Sequence, residues 1–127
     1  MEFTALVILA SLAQYLFFSV RVGMARGKYA VEAPATSGNE SWERLFRVQM
    51  NTLEQLIVFI PALALFGLYV SDSWAVLPGL VYLVGRQLYS HEYVGDPKSR
   101  GPGMALTFLA NAALVVGALV GIALKLV

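Results

Sequence analysis

Apolar residues in this chain fall into four long stretches separated by short polar ones. The first runs from Phe3 to Val20 and is broken only by Thr4, Ser11, Gln14 and Ser19. A helix crossing the hydrocarbon of a bilayer needs roughly 20 mostly apolar residues, and Arg21 and Val22 bring this stretch to that length. A cleaved leader would begin with basic residues. Here Glu2 stands at the start and the basic residues follow the run. The remaining stretches predict helices over about 40–70, 74–93 and 103–126, after a first helix over about 3–22. The expected fold class is therefore all-α: an integral membrane four-helix bundle forming a single domain over residues 1–127.

The polar residues between the stretches supply the punctuation. Arg21 to Ser41 reads as a polar connection, with Ser37 and Glu40 as a capping box and Asn39 as a competing N-cap. Pro61 lies inside the second helix, where a kink is expected. Ser71, Asp72 and Ser73 form a turn, and the glycines and prolines from Gly95 to Gly103 mark a loop. Trp42 and Trp74 suit an interfacial aromatic belt. Ala113, Gly117 and Gly121 recur every four residues on helix four, a spacing that lets membrane helices approach closely. Arg21, Arg26, Lys28, Arg44 and Arg47 flank the first loop, and Arg86, Lys98 and Arg100 the third, while the second loop has no basic residue. Loops one and three are thus expected in the cytoplasm and the termini opposite, with a bacterial inner membrane as the expected location.

Composition narrows the function classes. The chain is 58% hydrophobic and 13% charged, against about 25% charged in soluble domains. A net charge of +1 gives no basic footprint for nucleic acid. With no cysteine and one histidine, disulfides, a cysteine nucleophile and a thiolate or multi-histidine metal site are not expected.

The distinctive feature is polar chemistry inside apolar helices. Arg44, Arg47, Asn51 and Glu54 follow one another at spacings of three, four and three, which places them on one helix face. Arg86, Tyr89 and Tyr93 share a face of helix three. A charge at mid-bilayer costs roughly 2.5–3.5 kcal/mol, so such groups turn toward protein or a wet cavity. One interpretation is a structural lock, with Glu54 paired to Arg47 or Arg86. The other is a pocket for a small anion with several polar groups, since arginine grips carboxylates with paired hydrogen bonds. His91 lies on the opposite face of helix three and reads as interfacial.

These residues resemble a known family. The run from Glu43 to Glu54, with Arg44, Arg47, Asn51 and Glu54 in register, is similar to the E-R-x-x-R-x-x-x-N-x-x-E motif of the MAPEG proteins, membrane-associated proteins in eicosanoid and glutathione metabolism. Gly79 to Leu83, followed by Arg86, Tyr89 and Tyr93, resembles helix three of the transferase and leukotriene-synthase branch. The resemblance implies a homotrimer with glutathione as co-substrate between neighbouring subunits, near the cytoplasmic face. It implies that Arg47, Asn51, Glu54, Tyr89 and Tyr93 hold the tripeptide, that Arg26 and Gln49 add polar contacts, and that Arg100 stabilises the thiolate. Arg86 matches an arginine that recurs in the family. Gln55 stands where the leukotriene-synthase pattern has a tyrosine, and Gly27 where it has a second arginine, so the same lipid substrate is not implied.

The function expected from this resemblance is a glutathione transferase, a glutathione-dependent peroxidase or both, acting on lipophilic electrophiles that enter from the bilayer. The competing class is a non-catalytic lipid-binding or scaffold protein, which the family also contains. A small multidrug transporter would place a glutamate in the first helix, where this chain has only Gln14.

Overall fold

The computed structural model describes residues 1–127. It comprises α1 (Glu2–Tyr29), α2 (Glu40–Tyr69), α3 (Val76–Gly95) and α4 (Gly101–Leu126), with a single 3₁₀ turn at Pro97–Ser99 before α4. Helices α1, α2 and α4 are long and apolar enough to cross a membrane. The surface is correspondingly inverted: Leu6, Leu9 and Leu16 of α1 and Phe108, Leu119 and Leu124 of α4 all project outward. In water such a surface would drive aggregation; in lipid it has no such cost.

The core lies between the helices. Phe59 of α2 stacks on Tyr82 of α3 with ring centroids 3.7 Å apart. Val7, Leu63, Ala110 and Leu114 close around them. The small residues of α4 act as expected. A Cβ on Gly117 would meet the Phe66 ring at 2.6 Å, and one on Gly121 would meet the Tyr69 carbonyl oxygen at 2.7 Å. The two glycines thus let α4 lie directly against the end of α2.

Three expectations need correction. Helix α1 does not end at Val22 but continues to Tyr29. Arg21 to Lys28 is polar yet contains no proline, so the helix projects beyond the apolar run until Ala30 adopts a left-handed conformation (φ 56°). Trp42 is not a belt residue. It is fully buried, its Nε1 donates to the Val22 carbonyl at 3.2 Å, and Phe46 stacks on it at 5.2 Å. Asp72 is more than a turn residue. Its carboxylate accepts from the backbone N–H groups of Thr4 (2.9 Å) and Phe3 (3.2 Å), and so caps the start of α1 from the α2–α3 turn. At the start of α2, Asn39 is the N-cap, its side chain accepting from Trp42 N.

Candidate functional site

The end of α1, the start of α2, the end of α3 and the start of α4 share one end of the bundle, and the candidate residues gather there. The junction of α3 and α4 is fixed first. Glu92 Oε1 accepts from Gly103 N at 2.9 Å, supplying a cap to α4 from α3. Gly103 lies so close to the Tyr89 backbone that any side chain there would collide with it. This contact sets the distance between Arg100, the residue preceding α4, and the Tyr89–Tyr93 pair.

Beneath the junction sits Arg86, fully buried. Its Nη2 donates to Asn51 Oδ1 at 2.8 Å and Thr52 Oγ1 at 3.0 Å, and its Nη1 to Thr107 Oγ1 at 3.5 Å. Its guanidinium carbon lies 4.4 Å from the Tyr89 ring centre. Tyr89 in turn stacks on Tyr93 at 5.5 Å. One cation therefore ties α2, α3 and α4 together and fixes Asn51 and Tyr89. No carboxylate pairs with it, so its charge is met by neutral oxygens and an aromatic face.

Above this layer, a cleft of about 350 Å³ opens between α2 and α3, lined by Glu43, Arg44, Arg47, Tyr93 and Pro97 among others. Arg44 is largely occupied: it pairs with Glu40 at 2.7 Å and donates to the carbonyls of Val94 (3.3 Å) and Gly95 (3.4 Å), where a cation suits the end of α3. Arg47 is freer. Its one ion pair is with Glu54 at 3.8 Å, and the two side chains are 53% and 57% exposed. That separation and exposure make a weak pair. Arg100 is exposed and donates at 3.0 Å to the carbonyl of Pro97, a residue of the cleft lining.

Arg26 and Gln49 do not join this group. Arg26 lies over the Trp42 ring at 4.6 Å and donates to the Ala35 carbonyl at 2.8 Å, which folds the first loop back onto α1. Gln49 donates to Ser19 Oγ at 3.1 Å on the α1 side of α2. Gln55 accepts from Asn111 Nδ2 at 3.0 Å and so joins α2 to α4. His91 is exposed. Thr52, Thr107 and Glu92 are the positioning residues that sequence reasoning missed. A hydroxyl one turn from a backbone carbonyl gives no sign in the sequence that it also receives a cation.

The fold and this layered polar end define an integral membrane helical bundle with a charged cleft at one end. The chain belongs to the MAPEG family, whose family model matches residues 4–120. It is 47% identical over 118 residues to a protein of Synechocystis sp. without an assigned function, covering 93% of this chain and 86% of that one. It is 39% identical to microsomal glutathione S-transferase 2 of Homo sapiens, covering 94% of this chain and 81% of the human protein. Leukotriene C4 synthase of Bos taurus is 33% identical, over 76% of this chain and 64% of the bovine one.

Proposed function

We propose that this protein is a membrane-bound glutathione transferase, a glutathione-dependent peroxidase or both, acting on lipophilic electrophiles. The observation that carries this reading is the weakly paired, half-exposed Arg47 beside Tyr93 in the cleft, one turn from Asn51. Glutathione presents two carboxylates, an ammonium and a thiol. Arg47 offers a planar fork to a carboxylate, Glu54 an anion for the ammonium, and Asn51, Tyr89 and Tyr93 polar groups for the peptide. The relatives named for glutathione transfer point the same way.

The thiolate is the nucleophile, and a thiol of pKa about 8.5 is only a few per cent ionised at neutral pH. Arg100, which donates to Pro97 of the cleft lining, is assigned to stabilise the sulfur anion. The thiol proton leaves to solvent. The sulfur then forms a bond to carbon while an epoxide C–O bond breaks and its oxygen takes a proton. With a hydroperoxide, sulfur attacks the terminal oxygen, the O–O bond breaks, the alkoxide takes a proton and leaves as the alcohol, and the resulting glutathione sulfenic acid condenses with a second glutathione to the disulfide and water. Charged groups more than half exposed on a spanning helix call for a cover. A homotrimer supplies one, the α1 side of a neighbour bringing its Arg26 and Gln49 to the cleft.

Calorimetric titration of glutathione into the detergent-purified protein tests the site. Arg47→Ala should weaken binding by about tenfold or more, the loss of a charge-assisted pair. Arg100→Ala should cut turnover at saturating glutathione far more than affinity, and should diminish the ultraviolet absorbance of bound thiolate. Unchanged turnover in that variant would remove the thiolate role. No binding of glutathione by the wild-type protein would favour the non-catalytic lipid-binding or scaffold reading, for which the locked Arg86 layer is the supporting observation.

A further inference from the structure

The outer face between α1 and α3 carries chemistry that the proposed reaction does not use. Arg21 stands where the apolar run of α1 ends, with its guanidinium over the rings of Phe18 (5.0 Å) and Phe17 (5.8 Å). Its Nε and Nη2 are buried, yet no oxygen of the chain accepts from them. Arg26 and Arg44, the neighbouring arginines at this end, both donate to carbonyl oxygens. A buried guanidinium donor without an acceptor is costly, and its position indicates what would satisfy it.

Two clefts meet at Arg21. One, of about 770 Å³, follows α1 past Val20 and Met24 to Lys28. The other, of about 510 Å³, is bounded by Gln87, Ser90 and His91 of α3. Neither lining contains a carboxylate. Phe17, Arg21, Met24 and Lys28 form one stripe on α1, because they are spaced by four, three and four residues. Arg26 and Ser19, which face the first loop and Gln49, lie on a different stripe. Toward the bilayer centre the groove is apolar and open, with Phe17 and Val20 exposed, and Met24 is exposed on the other side of Arg21, toward Lys28. Lys28 lies two turns beyond Arg21, about 10 Å further from the centre.

This order of groups, from apolar trough to unsatisfied guanidinium to ammonium, matches a lipid molecule lying along the helix. We propose that the α1–α3 groove binds an anionic phospholipid. The phosphodiester accepts from Arg21, the headgroup extends toward Lys28, and an acyl chain lies over Phe17 and Val20. The guanidinium fork suits a phosphate, and its place at the end of the hydrocarbon-length run is where lipid phosphates reside. The cations, with no acid among them, favour phosphatidylglycerol over phosphatidylcholine, whose ammonium would find no partner. This inference is independent of the glutathione reading.

Native mass spectrometry of the full-length protein, titrated with dioleoyl phosphatidylglycerol or dioleoyl phosphatidylcholine, tests it. The first phosphatidylglycerol per chain should bind about tenfold more tightly than phosphatidylcholine, as expected where two cations meet an anionic headgroup. The double variant Arg21→Gln, Lys28→Gln should lose that preference. Lys98→Gln with Lys125→Gln, which removes the same charge elsewhere, should keep it. Val20→Trp, which fills the trough and leaves every charge in place, should also weaken the first adduct. Equal binding of the two lipids by the wild type, or an unaltered preference in the double variant, overturns the proposal. So does a double variant that keeps its lipid but has fewer chains per particle, which would show that a second copy covers the groove.

Discussion

Arg86 has no access to water and no counter-ion, so its place in the bundle must be explained by what it holds. Removing a charge of this kind from water costs several kcal/mol. The hydrogen bonds to Asn51, Thr52 and Thr107 recover part of that, but Nε has no acceptor. An apolar side chain of similar volume should therefore serve stability as well or better. What it would lose is the grip on Asn51 and the stacking under Tyr89. The expected behaviour of Arg86→Met is a thermal midpoint at or above that of the wild type, with glutathione affinity lowered by about tenfold, roughly 1.4 kcal/mol. A collapse of the midpoint would instead make Arg86 chiefly a structural residue. The sequence placed Arg86 on one face with Tyr89 and Tyr93, because helical spacing suffices for that. It gave no hint of Thr107, because a partner 21 residues away depends on how α3 crosses α4. Trp42 illustrates the converse. Its type suited an interface, but the extension of α1 covered it.

At the scale of elements, the caps come from outside the helices they cap. Asp72 terminates α1 across the bundle, and Glu92 does the same for α4. Capping rules read from sequence look at adjacent residues, so Asn39 was legible and these two were not. The overrun of α1 to Tyr29 was hidden for a related reason: hydropathy reports where the hydrocarbon ends, not where the helix does. The Asp72 cap has a measurable signature. The Thr4 side chain beside it, then the Thr4 and Phe3 N–H donors and the nearby N-terminal amine, lower the carboxyl from its ordinary 3.8 to about 2. A carboxyl whose pKa is depressed on folding stabilises the fold above its unfolded pKa and loses that contribution as pH falls through the folded one. Wild type should therefore melt above Asp72→Asn at every pH above about 4, and the gap should close between about 4 and about 2. A gap that does not depend on pH would mean that the amide caps α1 as well as the carboxylate does, or that the difference arises elsewhere.

For the whole molecule, the decisive fact is that the two groups of family-matched residues lie on different sides of one chain. Arg47, Asn51, Tyr89 and Tyr93 gather between α2 and α3, whereas Arg26 and Gln49 face the first loop and α1. Within one chain no hydrogen bond joins the two groups. The proposed ring of subunits would bring them together, since in a head-to-tail interface each subunit presents one side to the next and the other to the previous. That arrangement predicts complementation. Chains carrying Arg47→Ala retain an intact α1 side, and chains carrying Arg26→Ala retain an intact α2–α3 side. Each variant alone should bind glutathione poorly. When the two are co-expressed with different tags and purified through both, some interfaces pair the two intact sides. In a ring of three, every particle that holds both variants has one such interface, a third of its sites. Calorimetry on the doubly tagged particles should then recover wild-type affinity at that reduced stoichiometry. Recovery requires both that the site spans two subunits and that Arg26 belongs to it. Failure to recover, with Arg26→Ala alone binding normally, would confine the site to one chain and leave Arg26 as the residue that folds the first loop over Trp42.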